Sequence, residues 1–476
     1  MGKWTRRAAI GGGIAAAAGG ASLGWLASKP GGAVDRPGRS RAAPVRVNDP
    51  LPRQVDAVVI GGGYVGCAAA LELAERGLSV ALCEKGVIAG EASGRSVGWV
   101  DSQFLDPVKM ELIARSKHLW SRMNRRTGQE TGWRERGLTS LLADEEAVEG
   151  ARQWLDGVRG APGVTARIVD GGEAARLQPG ASRSWAGAMY QPNDASVEPT
   201  LAAPAMARAA HARGATLHQM CAVRGIERSG GAISGVVTER GAIRCRIVVL
   251  AGGLWSPVFA RSIGLDLPQF QANASMARVA GIEGPDISSW GPGFCWRRQI
   301  DGSYTIGDVN GVTPITAGLA AMGLKLLPAL RNMWGEVDPV FDWGAFADDW
   351  RRPRTWALDG PSPFEANRIY TPEVRSGLLD TARDTIAATF PVFRGAHMVE
   401  RWAGTLVTTP DNMPVISAVD GVPGLILGTG FYYGLTMGPA GGEALADIAT
   451  GRTPRIDLSR YRYSRFSDGS AITFRS

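Results

Sequence analysis

A glycine turn held between a strand and a helix constrains this chain more than any other feature. Val55 to Ile60 is a short, mostly apolar run of the kind a buried parallel strand requires. Gly61-Gly62-Gly63-Tyr64-Val65-Gly66 follows at once. Cys67 to Arg76 then has helical composition, and Gly77 stands where a helix would end. A second apolar run, Leu78 to Cys83, ends in Glu84, eighteen residues beyond Gly66. Each part has a physical task. Gly61 permits the tight turn, Gly63 lets a pyrophosphate approach the backbone, and Gly66 lets the helix lie close on the strand. The helix N-terminus turns its N–H groups toward phosphate, and Glu84 stands where a carboxylate accepts ribose hydroxyls. Strand, turn, helix, strand and acid in register predict a dinucleotide-binding unit.

The turn alone does not separate NAD from FAD. Two distant segments do. Ile247 to Leu250 is another apolar strand, and it breaks into Ala251-Gly252-Gly253-Leu254-Trp255. Near the C-terminus, Leu425 to Gly430 reads as strand and turn, followed by Phe431-Tyr432-Tyr433-Gly434 and a helical stretch to Thr450. A chain that returns to its nucleotide fold at its middle and its end resembles flavoproteins, whose long cofactor needs contacts from adenine to isoalloxazine.

On these segments the chain resembles the D-amino-acid oxidase superfamily, particularly its glycine oxidase, sarcosine oxidase and bacterial D-amino-acid dehydrogenase members, from about Val55 to Thr450. Gly90-Glu91-Ala92-Ser93-Gly94-Arg95-Ser96 is similar to the family's loop under the flavin, and Asp194 to Pro199 to its return into the nucleotide domain. Val223 matches the position whose backbone meets adenine. Trp402-Ala403-Gly404, Thr409-Pro410-Asp411 and Pro414-Val415-Ile416 resemble the C-terminal signature, and Gly434 to Met437 the turn facing the flavin pyrimidine.

The resemblance implies an α/β chain: a Rossmann-type FAD-binding domain (residues 54–100, 195–265 and 395–455) and a smaller α+β substrate domain with a mixed or antiparallel sheet (101–194 and 266–394). A C-terminal tail would cover 456–476. Arg298 to Gly307 fits a hairpin of the second sheet, turning at Asp301-Gly302. The implied cofactor residues are Gly61, Gly63, Val65, Gly66, Glu84, Lys85, Ala92, Ser93, Ser96, Val223, Gly252, Gly253, Trp255, Gly404, Gly434, Leu435, Thr436 and Met437. No Cys or His stands in the flavin-facing segments, so non-covalent FAD is expected.

Charge is informative once located. The net +7 is carried by residues 1–53, leaving the body formally neutral. That excludes a basic nucleic-acid-binding face on the folded part. Residues 1–27 hold Lys3 and Arg6-Arg7 before an uncharged Ala- and Gly-rich run, resembling a twin-arginine export signal. Export to the periplasm is expected, with transient or retained membrane contact through residues 8–27. Pro30, Pro37, Pro44, Pro50 and Pro52 make residues 28–53 read as a solvated linker. Cys67, Cys83, Cys221, Cys245 and Cys295 lack metal-ligand spacing, and the four histidines are dispersed, so core packing is expected of the cysteines and no metal site is assigned.

The chemistry the resemblance implies is hydride removal from a carbon beside an amine nitrogen, giving an imine that water hydrolyses. The partners would be a small amine or amino acid and an electron acceptor, either O2 or a respiratory carrier. A 2-hydroxy acid oxidoreductase and a non-catalytic FAD subunit of an electron-transfer complex remain alternatives. Members that oxidise amino acids carry an arginine just after Trp-x-Gly, where a guanidinium clamps the substrate carboxylate. Here Leu406 occupies that place. Arg95, Arg297, Arg298 and Arg401 are the candidate replacements, Arg95 foremost because its loop lies beside the flavin. Trp99, Phe104, Trp296, Tyr304, Phe431, Tyr432 and Tyr433 are candidate cavity walls. Arg95, Tyr432 and Tyr433 are the expected catalytic-site residues.

Overall fold

A computed structural model of the protein describes residues 33–34, 40–308, 311–323 and 338–474. The segment resembling an export signal lies outside the described residues.

Six strands form the nucleotide sheet: β1 (Ala57–Ile60), β2 (Val80–Cys83), β3 (Thr216–His218), β4 (Ile247–Leu250), β5 (Val415–Ala418) and β6 (Leu425–Thr429). Their order is β5-β6-β4-β1-β2-β3, parallel throughout except for β5 at the edge. β1 and β2 are buried along their whole length, as continuous apolar runs demand. Three helices stack on one face: α1 (Tyr64–Glu75), α2 (Pro199–Ala212) and α3 (Gly434–Ala449). Small residues let them approach closely. A Cβ on Gly442 of α3 would stand 2.5 Å from the Cβ of Ala68 on α1.

Both outer helices contain a proline, and both solve the resulting loss in the same way. Pro204 and Pro439 cannot donate to the carbonyl four residues back. In α2 the released Thr200 oxygen accepts the Ala43 N–H at 2.8 Å. In α3 the released Leu435 oxygen accepts the indole N–H of Trp120 at 2.9 Å.

The second sheet has eleven strands among the described residues, mostly antiparallel. Phe294–Arg298 and Tyr304–Gly307 form the expected hairpin, with Gly302 at φ +85°. Trp296, Tyr304, Phe390 and Phe393 pack into its core.

Two expectations about domain organisation are corrected. His397–Thr408 belongs to the second sheet, pairing along Phe270–Ala280. The nucleotide domain therefore resumes after Thr408 rather than at 395, because the ladder that runs the length of this strand joins it to Phe270–Ala280 of the substrate side. Residues 40–53 are not a solvated linker. Arg41 forms a two-pronged ion pair with Glu400 (3.0 and 2.8 Å) and lies 3.5 Å above the Trp402 ring, and the Asp49 carboxylate accepts the Leu217 N–H. The C-terminal tail packs on the body over its described residues 456–474: the Arg465 guanidinium is buried against Asp411 (2.8 and 3.1 Å), and Phe474 reaches the main cavity.

Candidate active site

Two adjoining cavities, of about 270 and 110 Å³, run between the nucleotide sheet and the second sheet. They share Gly63, Ala92, Ser93, Ala251, Gly253 and Thr405, and so form one elongated hollow.

The smaller cavity is built on the glycine turn. Gly61 has φ +108°, and a Cβ there would lie 2.4 Å from the Ala251 oxygen. A Cβ on Gly66 would lie 1.9 Å from the Gly61 oxygen. Backbone on both sides excludes any larger residue at either place. Gly63 caps α1, and the side chain of Ser93 reaches this helix end, accepting the Tyr64 N–H at 3.0 Å. Ser96 lies within 3.5 Å of the Tyr64 hydroxyl. The Glu84 carboxylate accepts the N–H groups of Gly62 (2.7 Å) and Gly86 (2.8 Å), and so ties the turn to the end of β2. Burial raises its pKa despite the pull of Lys85. Val223, Gly252 and Trp255 line the same cavity.

Lys85 also lines it, yet its ammonium is engaged by Glu91 at 2.6 Å and by the carbonyls of Asn367 and Arg368. It stands 4.6 Å over Trp255, whose N–H donates to Glu91 at 3.2 Å. Lys85 thus shapes the wall by holding residues 367–368 against the nucleotide domain.

The larger cavity meets the N-terminus of α3. The first N–H groups of a helix have no carbonyl within it, which makes Gly434, Leu435 and Thr436 donors toward the cavity they line. Met437 differs from expectation. Its N–H closes the first turn on Tyr433 oxygen at 2.9 Å, and its side chain is fully buried in the core. Val65, Ala92, Ser96, Gly404, Leu406, Trp99, Phe431, Tyr432 and Tyr433 complete the expected lining, and the two tyrosines meet edge to face at 4.9 Å. Phe104, Trp296 and Tyr304 are core residues instead.

The four candidate arginines are anchored elsewhere. Arg95 lines the cavity, but its guanidinium donates to the carbonyls of Gly90 (3.4 Å) and Ala403 (3.2 Å) and to the Thr371 hydroxyl. Its own carbonyl accepts the Trp402 indole N–H at 2.9 Å. Arg297 forms a buried, two-pronged pair with Glu198 (2.8 and 3.0 Å), Arg298 pairs with Asp286 and Glu283, and Arg401 approaches Asp380 at 3.7 Å.

Sequence reasoning missed Asp101. It is 3% exposed, lines the larger cavity, and accepts from the Thr436 hydroxyl at 3.3 Å. Its one signal was an acid directly after the apolar Trp99-Val100. Sequence reasoning also missed a buried polar cluster beside it, where Asp194 pairs with Lys117 and accepts from Ser102. Burial pushes the Asp194 pKa up to about 6.

The hollow fits FAD: a phosphate-sized approach at Gly63, a buried carboxylate at Glu84, and helix donors at α3 where a flavin ring would end. Comparison with known proteins agrees. Residues 56–448 match the sequence model of the DAO family of FAD dependent oxidoreductases. The structure is similar to that of L-amino acid deaminase from Proteus myxofaciens (37% identity, TM-score 0.86, covering 90% of this chain and 98% of that one). Glycine oxidase from Pseudomonas aeruginosa is 28% identical over 85% of this chain and 97% of its own length. Human sarcosine dehydrogenase is 25% identical over 88% of this chain, which spans only 42% of that longer relative. The chain therefore belongs to the DAO family of FAD dependent oxidoreductases, and its cofactor is FAD.

Proposed function

We propose that the protein oxidises an amine or amino acid at a C–N bond, releasing an imine that hydrolyses in water. The observation that carries this reading is the hollow itself, which runs from the glycine turn to the N-terminus of α3 and ends among aromatic and aliphatic walls. The relatives named above, an L-amino acid deaminase, a glycine oxidase and a sarcosine dehydrogenase, support it. When bound, FAD supplies the two-electron acceptor for the carbon beside the nitrogen. The residues position and shield. Gly434 to Thr436 present helix donors that stabilise negative charge at the far end of the hollow. Leu406, Trp99, Tyr432 and Tyr433 exclude water from the reacting face. Arg95 acts as a positioning residue, fastening the loop of Gly90 to the strand of Ala403.

The test is anaerobic mixing of holoprotein with D- and L-amino acids, N-methyl amino acids, polyamines and 2-hydroxy acids. Bleaching of the oxidised-flavin band near ~450 nm by a nitrogen compound is expected. Bleaching by hydroxy acids alone would overturn the reading. Readmitting oxygen then distinguishes O2 from a respiratory carrier as the acceptor.

The location we favour is export by a twin-arginine-type route, with the folded body at a membrane face. Two observations support it: the paired arginines before an apolar run, and a surface group of Phe341, Trp343 and Trp350 that are 52, 72 and 70% exposed. Phe346 ties the group together by ring contacts. Clusters of exposed aromatics suit a membrane interface.

A further inference from the structure

Every described lining residue of the larger cavity but one falls between Gly63 and Thr436, inside the stretch of residues 56–448 that the family shares. The exception is Phe474, which reaches the cavity from beyond that stretch. One tight turn accounts for its place. Thr409 to Met413 closes on itself: the Asn412 N–H donates to the Thr409 oxygen (2.9 Å) and the Thr409 hydroxyl to the Met413 oxygen (2.6 Å), with Asn412 at φ +56°. The Asp411 carboxylate and the Met413 oxygen of this turn hold the buried Arg465 guanidinium, while Asn412 between them lines the cavity.

The tail is braced from this anchor as far as Ser470. The Tyr461 hydroxyl donates to the Val108 oxygen at 3.0 Å, and Arg462 grips Asp468 (2.9 and 2.7 Å) and the Ser470 hydroxyl (2.7 Å). Ala471 is exposed, and Ile472, Thr473 and Phe474 are half-buried, so the chain approaches the cavity along the surface. Residues 471 to 473 share a crevice with Asp411 and Met413, and Phe474 follows on the Asn412 side of the larger cavity. Among the described residues, no hydrogen bond fastens 471–474.

A segment fixed at its base by charge-assisted hydrogen bonds and at its tip by apolar contact alone opens at small cost. The tip suits its surroundings, since Leu406, Val407 and Phe431 line the same cavity. That cavity has to take both the flavin ring and the substrate. A phenyl ring on its wall therefore occupies space that a larger substrate would need, and an apolar wall discriminates by about 10- to 200-fold for each methylene.

We propose that Phe474 is a specificity-determining residue, an outer wall of the larger cavity that limits the bulk of the group a substrate carries beside Asn412. The inference rests on reading this cavity as the substrate site of the amine oxidation, and deepens it.

The test mixes holoprotein anaerobically with two pairs of nitrogen compounds that share a head and differ in bulk: glycine with racemic phenylalanine, and ethylamine with 2-phenylethylamine. The concentration giving half the maximal change in flavin absorbance is read for each, whether the band shifts or bleaches. Relative to wild type, Phe474→Ala should favour the bulky member of the responding pair by about 10-fold or more, and Phe474→Leu by about threefold. Phe474→Trp should move the ratio the other way. Flavin content and melting temperature should stay near wild type in all three, because the polar anchors of the tail end at Ser470. A ratio unchanged in both Phe474→Ala and Phe474→Trp would overturn the proposal. So would a ratio that falls in Phe474→Ala, since the ring would then be a contact for the bulky group and not its limit. Ratios that shift as expected through band shifts alone, in a holoprotein whose flavin no nitrogen compound reduces, would keep the wall and overturn the oxidation reading instead.

Discussion

The indole N–H of Trp120 donates to the Leu435 carbonyl at 2.9 Å, and that carbonyl is the one Pro439 leaves unclaimed one turn later. This bond supports the opening turn of α3, whose first three residues line the main cavity. Trp120→Phe keeps most of the packing and removes the donor, leaving a buried acceptor unsatisfied. A loss of about 1–3 kcal/mol is expected. Thermal unfolding should show it, together with weaker flavin retention on dilution.

Gly66→Ala should give a protein that does not retain flavin. The added methyl would stand 1.9 Å from the Gly61 oxygen and 3.1 Å from its carbon, both backbone atoms that cannot turn aside as a side chain would. Gly77→Ala is the contrast, because nothing lies within 4 Å of a Cβ there. Its positive φ of 83° costs about 1 kcal/mol, and its flavin content should stay normal. Absorbance of the purified proteins distinguishes the two outcomes.

Arg95→Lys separates positioning from substrate clamping. A lysine cannot reach the Gly90 and Ala403 carbonyls with the same fork. Flavin affinity is expected to fall, with KM for small substrates changing less than about threefold once FAD is saturating. A selective rise in KM for carboxylate-bearing substrates would instead make Arg95 a clamp.

Asp194 makes a pH-dependent contribution to stability. Burial, countered in part by Lys117, pushes its pKa up to about 6 from an ordinary value of 3.8. Between those values the native form holds a proton that the unfolded chain has released. The native state is therefore favoured at the acid end of the window, and this contribution declines as pH rises through about 6. Melting temperatures of wild type and Asp194→Asn, compared from pH 4 to 7, should diverge in slope within that window. Parallel curves would refute the assignment.

Trp343→Ser/Trp350→Ser should reduce cosedimentation of the protein with anionic vesicles and leave anaerobic flavin reduction unchanged. Both residues are more than two-thirds exposed, so stability should change little. Undiminished vesicle binding would remove the aromatic group from the membrane proposal.

The nucleotide half of this protein was legible in its sequence because its signals are local. Gly61, Gly66 and Glu84 lie within one strand-turn-helix-strand unit, and their backbone demands follow from close approach over a few residues. The cofactor followed from Ile247 to Gly253 and from the segment around Gly434, whose patterns repeat the same local logic. Resolution failed where long-range pairing decides. Nothing in His397 to Thr408 says that its partner is Phe270 to Ala280, so the domain boundary was placed too early. Residues 40–53 look like a linker because proline and arginine suit solvent, until Glu400, Trp402 and Thr200 come within reach of Arg41 and Ala43.

The substrate side depended on tertiary structure for the same reason. Leu406 showed that an expected arginine was missing, but sequence could not tell which other group faced the cavity. Arg95, Arg297, Arg298 and Arg401 were equivalent as letters. In the fold Arg95 is hydrogen-bonded to the Gly90 and Ala403 carbonyls, while Arg297, Arg298 and Arg401 face carboxylates away from the cavity. Asp101 drew no notice, because a single acid after Trp99-Val100 gains meaning only when a strand pairing and the Thr436 hydroxyl set it on the cavity wall. The sequence by itself determined the nucleotide-binding unit, through backbone geometry that glycines alone permit, and the FAD cofactor, through the family resemblance carried by the segments at Ile247 and Gly434. The tertiary structure decided the polarity of the cavity, because a side chain's charge acts through its neighbours in space.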